Sequence, residues 1–531
     1  MQLDEFLHNL HFDIDNVRPV DVDVDWEDAP LPFKLYQNLP ATPLSFDACT
    51  ELSASRRTAR RAVRLQEIGN FFWYSYGLTQ LCHVMLPADD GEARSNVMQM
   101  LRRYVPSGGA LYPSELYAYL KVDDVSPGIY HYDVAHHRFV LLREGNFDLY
   151  LERALGHRCQ LESCFGALFV STMFWKNFYK YHNFSYRLQA LDAGALIGQL
   201  LEVAKRFGYA SAVYFQFLDR AIQHLLGLRD EEESVYAVIP LACAEGSIAR
   251  CDGNTNAVDT VESAQELCQE LVGLEHRHYS KSVRKGKYPL LLQMNEAAML
   301  HTTERFTQMP TSGTESNPAG EGAIDLPAAQ RSQGDFATAC RRRFSPALDF
   351  VQGHIDVREL SAIMSETMLS FAYDNDIDPN GQEFDPRVSL ASCVHGVEGL
   401  NDGAYLYDFK RHGLQLLQSG DHRLRLQEGL SMPTVNFFQV PLCFHLVGSR
   451  DRYQVFGYRG YRMQQMEVGM CLQRLLLSAS ARGLGGHPLL GYDEGACDDI
   501  YNFEAQGKTC LIEVPVGHYR KTARFEGALY W

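Results

Sequence analysis

The sequence lacks the features of a secreted, membrane-bound or nucleic-acid-binding protein. No apolar run approaches the roughly 18 residues that a membrane-spanning helix needs, and the first residues, MQLDEFLHNLHFDID, are acidic and polar. Positive charge is also scarce, because 49 Lys and Arg face 66 Asp and Glu and leave a net charge of −17. We therefore expect a cytoplasmic protein without a membrane partner. Nucleic acid is not expected as a partner in the absence of a local basic face.

The usual spacings of metal-binding and disulfide motifs are missing too. The chain has 13 cysteines. None lies in a CxxC pair, and the closest two, Cys159 and Cys164, have no second pair near them. An odd count in a cytoplasmic chain favours reduced, mostly buried thiols over disulfides or zinc. The sequence thus predicts no metal site.

What is present indicates a large globular protein of more than one domain. A chain of 531 residues exceeds one compact core, and its 46% hydrophobic content can fill several. Residues 51–85 open with an arginine cluster and continue in a helix-like pattern, residues 115–142 predict a strand meander, and 188–206 predict an amphipathic helix. The segment 308–335 is rich in Ser, Gly, Pro, Thr and Ala, which predicts a flexible linker.

The most informative local stretch is the loop PSGGALYPSE, residues 106–115. Gly108 and Gly109 would let the backbone approach a flat ligand closely, and Pro113 stiffens the end of the turn. An ordinary tight turn has a similar composition. The loop alone therefore does not decide between a ligand cradle and a simple turn.

An internal repeat supplies the wider context. GIYHYD at 128–133 recurs as GAYLYD at 403–408, at an offset of 275 positions. The same offset relates His137 to His412, Leu141 to Leu416, Gly145 to Gly420, Tyr186-Arg187 to Tyr461-Arg462, Gly194 to Gly469, and Gly208 to Gly483. We infer two copies of one α+β domain. The first covers 1–247, a connecting region covers 248–337 with its linker at 308–335, and the second covers 338–531, with a repeat that begins near 262.

Tandem copies often pack like a two-fold homodimer, with sites between them. Shared residues should then serve the fold or the interface. We expect a structural hydrogen bond from His137 and from its counterpart His412, and a fold or interface role for Tyr186-Arg187 and its counterpart.

The copies differ at polar and glycine-rich positions. When the two copies are aligned at the offset of 275 residues, the loop at 106–113 corresponds to GQEFDPRV at 381–388, and Lys180-Tyr181 corresponds to Val455-Phe456. The second copy instead has glycines at 485 and 486 and ends a strand on Arg520-Lys521. This pattern predicts two related binding sites between the copies. One has lost its polar and glycine residues, and the other is assembled from residues of both copies.

These motifs together carry a family resemblance. The cluster Arg56-Arg57-Thr58-Ala59-Arg60, the PSGGALYP loop, the PGIYHYD strand, and Lys180-Tyr181 ahead of a Tyr-Arg helix resemble the SagB-type dehydrogenases in a tandem-domain form. Those enzymes belong to the FMN-dependent nitroreductase superfamily. The resemblance implies two α/β/α sandwich domains packed as a pseudo-two-fold dimer, with the flavin in the interface. It also implies oxidation of thiazoline or oxazoline rings in peptides beside a cyclodehydratase, or in carrier-bound intermediates.

The resemblance also implies a cofactor site. No side chain accepts a hydride, so an oxidation of this kind needs a cofactor, here FMN. Arg56, Arg57, Thr58 and Arg60 offer forked donors and a hydroxyl for its phosphate, although arginines at a surface helix start look the same. Arg342, in the run 341–343, is the alternative phosphate ligand. The remaining predicted FMN-binding residues are Ser107, Gly108 and Gly109 of the first copy, with Gly485, Gly486 and Arg520 of the second. We expect one working FMN per chain.

Lys180 and Tyr181 match the acid–base pair of that family. Hydride loss from a carbon accompanies proton loss from a neighbouring atom, and a lysine or a phenol can accept that proton. The sequence does not say which of the two does so. A surface lysine beside a half-buried tyrosine is the plainer interpretation.

Two other functions stay open at this point. One is an NAD(P)H-dependent nitro or quinone reductase, and the other is a flavin-free scaffold or peptide-binding subunit of a biosynthetic complex. The expected partners are a peptide or carrier-bound substrate and a cyclodehydratase or similar protein. A homodimer of the whole chain also stays open.

Overall fold

The computed structural model describes residues 1–18, 23–45, 52, 63–86, 96–243, 248, 261–310, 323–329, 335–369, 371–379, 384–521 and 525–528. The elements of the first copy are α1 Leu3–Phe12, α2 Ile14–Val17, β1 Ala41–Pro43, α3 Leu65–Tyr76, β2 Leu78–Leu86, β3 Asn96–Arg103, β4 Ser114–Leu120, β5 Gly128–Asp133, β6 Arg138–Glu144, α4 Asp148–Ala154, β7 Gly166–Met173, α5 Trp175–Tyr181, α6 Ser185–Phe207, β8 Ala210–Val213, α7 Asp219–Leu226 and β9 Glu233–Ala242.

The connecting region contributes α8 Ala264–Glu270, α9 Pro289–Ala297 and β10 Ala323–Asp325. The elements of the second copy are α10 Phe336–Arg342, β11 Ile355–Asp356, α11 Val357–Met368, β12 Asp374–Asn375, β13 Ser389–Val394, β14 Val397–Glu398, β15 Gly403–Asp408, β16 Gly413–Ser419, α12 Arg423–Glu428, β17 Leu442–Ser449, α13 Tyr458–Ala481, β18 Gly485–Gly486, α14 Glu494–Tyr501, β19 Lys508–Gly517 and β20 Phe525–Ala528. In the part of the chain that the structure covers, no helix is both long and apolar enough to cross a bilayer.

Each copy is built on one largely antiparallel sheet, and the central strands of the two sheets have the same order. The first sheet runs β1-β6-β5-β4-β7-β9-β8-β12 and the second runs β10-β16-β15-β13-β17-β19-β18. The six central strands of the first, from β6 to β8, correspond one to one with β16 to β18 of the second. The repeat read from the sequence is therefore a repeat of architecture.

The second copy also contributes strands to the sheets of the first. β12 belongs to the second copy but pairs in parallel with β8 of the first, and β20 pairs with β2 of the β2–β3 hairpin. Within the connecting region, α8 packs on α7 of the first copy and β10 pairs with β16 of the second.

The long helices α6 and α13 cross at the centre of the molecule. A Cβ atom on Gly194 would lie 2.1 Å from the Met466 carbonyl oxygen, and one on Gly469 would lie 2.2 Å from the Leu191 carbonyl oxygen. Only glycine permits this approach. Residues related by the 275-residue offset thus meet each other between the copies.

Buried ion pairs follow the same pattern. Arg187 donates to Glu494, and Arg462 lies 3.7 Å from Asp219, the residue that matches Glu494. The rings of the matched residues Tyr186 and Tyr461 stack with centroids 5.9 Å apart. The predicted interface role of the Tyr-Arg pairs is confirmed.

The recurring histidines make equivalent hydrogen bonds. His137 Nδ1 lies 2.8 Å from Tyr132 Oη and His412 Nδ1 lies 2.8 Å from Tyr407 Oη. Both histidines have a positive φ, so the bond holds a turn between two strands. The structural role that we predicted for them is confirmed.

One secondary-structure prediction is wrong. The helix-like pattern read through residue 85 ends at Tyr76, and residues 78–86 form strand β2. The helix ends at Gly77, where an added Cβ atom would lie 2.6 Å from the Trp73 carbonyl oxygen. The apolar run at 78–86 is long enough to form a helix or a strand, and it forms a strand that pairs with β3.

Candidate functional site

The loop at 106–113 has a strained backbone. Gly109 has φ of 64°, and the next residues with positive φ are Ala110 at 56° and Tyr112 at 48°. Residues other than glycine pay about 1–2 kcal/mol in this region, and such strain clusters at functional sites. The sequence alone did not decide between a ligand cradle and a simple tight turn. The positive φ angles distinguish the loop from a simple tight turn.

The carboxylate of Asp192, on α6, holds this loop. Ser107 Oγ donates to Asp192 Oδ2 at 2.6 Å, and the Gly108 amide donates to Oδ1 at 3.3 Å. Ser107 Oγ also accepts a bond from the Tyr112 amide at 2.9 Å. Burial raises the pKa of Asp192 to about 7, against the opposing effect of its two hydrogen bonds. The predicted ligand Ser107 is therefore already engaged within the loop.

The Lys180-Tyr181 pair meets the loop at Gly109. A Cβ atom on Gly109 would lie 2.7 Å from Tyr181 Oη and 3.0 Å from Lys180 Nζ. The pair ends helix α5, and His182 directly after it has φ of 48°. The structure thus brings together the two features that the second copy lacks.

A buried ion network anchors α5 beneath the loop. Lys176, one turn before Lys180, donates to Glu115 and to the Tyr112 carbonyl oxygen. His131 Nε2 lies 2.8 Å from Glu115. Burial alone would raise the pKa of Glu115, but the Lys176 ammonium and the His131 hydrogen bond hold it far below its usual range. This network fixes α5 to the strand that follows the loop.

The predicted residues of the second copy form a neighbouring patch. A Cβ atom on Gly485 would lie 2.3 Å from Pro346 Cγ and 2.9 Å from Tyr519 Cδ1, and one on Gly486 would lie 2.6 Å from Leu476. Burial raises the pKa of the Tyr519 hydroxyl, and the positive charge of Arg342 acts in the opposite direction. Arg520, the next residue, is exposed.

This patch contacts the strand that leads into the loop. Arg343 Nε donates to the Tyr104 carbonyl oxygen at 2.8 Å, and the Arg102 guanidinium lies 5.3 Å from the Phe344 ring. The Nε atom of Arg102 is buried and has no hydrogen-bond partner. The sequence analysis missed Arg102 as a candidate ligand, as well as Asp192 and Lys176, because nothing in their local patterns distinguishes them from ordinary surface or helix residues.

Some predicted residues cannot be placed. Arg56, Arg57, Thr58 and Arg60 lie outside the described residues. Their assignment to the phosphate stays a prediction.

A cavity of about 370 Å³ opens on the other side of α5. Trp175, Phe178 and Tyr179 line it from α5, and Tyr288 with Leu290 closes it from the connecting region. Lys180 and Tyr181 therefore end a helix whose opposite face borders an open, largely aromatic space.

Comparison with known proteins agrees with this picture. Residues 83–241 match the Nitroreductase family. The chain carries a nitroreductase-family domain. The trifolitoxin-processing protein TfxB of Rhizobium leguminosarum bv. trifolii is 30% identical over 137 residues, which cover 24% of this chain and 36% of that protein. The chain therefore spans about a third of the length of this curated relative.

One solved structure extends the likeness in fold over nearly the whole chain. A protein from Anabaena variabilis classed as a nitroreductase aligns over 98% of this chain and 99% of its own, with a TM-score of 0.73 and 21% identity. The E. coli microcin synthetase McbBCD complex with truncated pro-MccB17 bound aligns over 37% of this chain and 75% of the matched chain, with a TM-score of 0.26 and 19% identity. The predicted α+β fold is confirmed, and the match to the Nitroreductase family covers residues 83–241.

Proposed function

We propose that the chain is an FMN-dependent dehydrogenase that oxidises a thiazoline- or oxazoline-type ring, or a similar saturated bond, in a peptide or carrier-bound intermediate. The observation that carries this proposal is the convergence of Lys180 and Tyr181 on Gly109 in the first copy alone. A loop for a flat cofactor and a pair of proton-accepting groups meet there, as this reaction requires.

The residues present fit FMN. The fit rests on the buried Arg102 Nε, which lacks a partner among the described residues. The Cβ positions of Gly109, Gly485 and Gly486 are already filled by Tyr181, Pro346 and Leu476. We propose that the loop at 107–109 faces the ring system, and that Arg102 and Arg342, with Arg520, serve the phosphate. FMN when bound supplies the hydride acceptor that no side chain offers.

The chain's own contribution is then proton transfer and positioning. Lys180 Nζ or Tyr181 Oη accepts the proton released from the atom next to the carbon that loses hydride. Lys176 and Glu115 hold α5 in place, so that both groups stay over Gly109. Asp192 holds Ser107 and Gly108 so that the loop keeps its strained form.

The substrate class rests on a relative. TfxB is described as processing trifolitoxin, which supports a peptide substrate and a biosynthetic partner such as a cyclodehydratase for this chain. We propose oxygen as the electron acceptor, and a cytoplasmic location.

The proposal is tested with purified, FMN-reconstituted protein and an azoline-containing peptide. We expect the product to lose two hydrogens by mass, and the loss to disappear in Lys180→Ala and to weaken in Tyr181→Phe. Val455→Ala, at the matching place in the second copy, is the control. Full activity of both first-copy variants would remove them from catalysis. Flavin reduction by NADPH with no peptide oxidation would favour a nitro or quinone reductase, and protein that takes up no flavin would favour a scaffold.

A further inference from the structure

The second copy contains a cluster of metal-ligand side chains far from the loop in sequence. His445 on β17 lies opposite Glu513 on β19, and Cys443 lies two residues from His445 on the same face of β17. One ligand atom from each residue lies within 4.8 Å of the other two, and all three residues are fully buried. Two paired strands therefore fix a sulfur, a nitrogen and an oxygen around one point.

The spacing agrees with a tetrahedral ion. His445 Nε2 lies 3.3 Å from Glu513 Oε1. Two ligands at roughly 2.0–2.1 Å from Zn²⁺ at the tetrahedral angle are about 3.3–3.4 Å apart. Cys497 Sγ, on α14, lies 3.9 Å from the same carboxylate oxygen, but it is not part of the set whose ligand atoms all lie within 4.8 Å of one another.

The charge at this point is poorly compensated. Among the described residues, His445 is the basic side chain within 4 Å of Glu513, and no Lys or Arg reaches that distance. A buried carboxylate without a cation is costly. A divalent cation would compensate the charge directly.

Surrounding groups orient the histidine as metal ligands usually require. Tyr501 Oη lies 2.9 Å from His445 Nδ1, and Cys393 Sγ lies 3.1 Å from Tyr501 Oη. A partner on Nδ1 leaves Nε2 directed at the carboxylate.

The first copy shows that the fold does not need these groups. Cys443 pairs with Pro515 as Ala167 pairs with Pro240 in the first copy, so the strands are in the same register. At the places of His445 and Glu513 the first copy has the apolar pair Phe169 and Val238. At this position the first copy has apolar core side chains, and the second copy has side chains that can bind a metal ion.

We propose that Cys443, His445 and Glu513 bind a Zn²⁺-type ion in the second copy. The mixed sulfur, nitrogen and oxygen donors suit zinc or cobalt and exclude Mg²⁺ and Ca²⁺, which take oxygen ligands. The centre joins β17 and β19. It is independent of the proposed flavin chemistry.

The test is metal content of the folded full-length chain. Protein expressed in zinc-supplemented medium is desalted and analysed by plasma mass spectrometry, and a second preparation grown with Co²⁺ is examined for thiolate-to-cobalt charge transfer and tetrahedral visible bands. We expect about one ion per chain in wild type and in Cys471→Ala, a buried cysteine on α13 that lies outside the cluster. We expect at least a tenfold lower content in His445→Gln and Glu513→Gln.

Wild-type protein settles the matter even if these variants fail to fold. Folded wild type that holds less than a tenth of an equivalent of zinc, and shows no cobalt–thiolate band, would overturn the proposal and leave a hydrogen-bonded His–Glu pair. Undiminished metal in folded His445→Gln and Glu513→Gln would overturn it too.

Discussion

The two copies place a carboxylate at the same point of their long helices and use it in opposite ways. Asp192 on α6 accepts bonds from the Ser107 hydroxyl and the Gly108 amide of the strained loop. At the 275-residue offset, α13 carries Glu467. Glu467 accepts from Arg387 at 2.9 Å, from Tyr373 Oη at 2.5 Å and from Tyr453 Oη at 2.7 Å.

We propose that this difference closes one half of a symmetric pair of sites. In the first copy burial raises the pKa of the carboxyl. In the second, burial acts in the same direction, but the Arg387 guanidinium and three hydrogen bonds hold the pKa of Glu467 below its usual value. Arg387 lies in the segment that corresponds, at the 275-residue offset, to the loop of the first copy. A buried ion pair therefore occupies the place where the first copy has its strained loop.

The largest expected effect concerns the catalytic pair. Lys180→Ala should lower turnover about 10²–10⁴-fold, because a positioned proton acceptor contributes that much. Val455→Ala changes the matching position, which is 48% exposed, and should leave turnover unchanged. Steady-state rates on the azoline peptide measure both. Equal rates in the two variants would break the asymmetry that we infer.

The next effect concerns stability of the closed half. Arg387→Ala should lower the free energy of unfolding by about 3–5 kcal/mol, because it leaves Glu467 buried and unpaired. Arg425→Ala removes an exposed partner of Asp499 and should cost no more than about 1 kcal/mol. Denaturant titration measures both changes. A loss below 1 kcal/mol in Arg387→Ala would mean that the pair does not secure the second copy.

The two carboxylates should also respond oppositely to pH. The pKa of Asp192 is about 7 in the folded chain against 3.8 for an ordinary aspartate. As the pH rises, the carboxyl therefore loses its proton in the unfolded chain before it does so in the folded chain. The free energy of unfolding of the wild type should fall by roughly 2–4 kcal/mol relative to Asp192→Asn as the pH rises from about 4 to about 7.

Glu467 has a lowered pKa, so its stabilisation is present at neutral pH and is lost as the pH falls through the folded value. Glu467→Gln should thus be most destabilised at neutral pH and least in acid. Unfolding free energies measured from about pH 2 to pH 8 compare the slopes. Parallel slopes for the two variants would contradict the assignment of opposite roles.

The smallest effect concerns backbone strain. Gly109→Ala combines a left-handed φ with a Cβ atom 2.7 Å from Tyr181 Oη, and should lower turnover at least about tenfold by displacing the pair. Gly507 has the same φ of 64° with no atom near its Cβ position. Gly507→Ala should cost about 1 kcal/mol of stability and keep full turnover. Equal turnover in both variants would show that the contact at Gly109 does not matter.

Features that depend on a sequence pattern could be predicted, whereas features that depend on contacts with distant residues could not. The repeat, the helix over 188–206 and the meeting of the loop with Lys180-Tyr181 could be predicted, because an offset comparison shows which residues were lost together. Strand β2 was missed because its apolar run suits either element. Asp192 and Glu467 were missed because their main partners, Ser107 and Arg387, lie 80 or more positions away in the chain, which no local pattern records.

The central claim is that one flavin site survives in each chain, and counting the flavin tests it most directly. After reconstitution with excess FMN and removal of the unbound fraction, FMN released by denaturation is measured by absorbance against protein concentration. We predict one FMN per chain. Two per chain would show that the half closed by Arg387 and Glu467 still binds flavin, and none would show that neither half does.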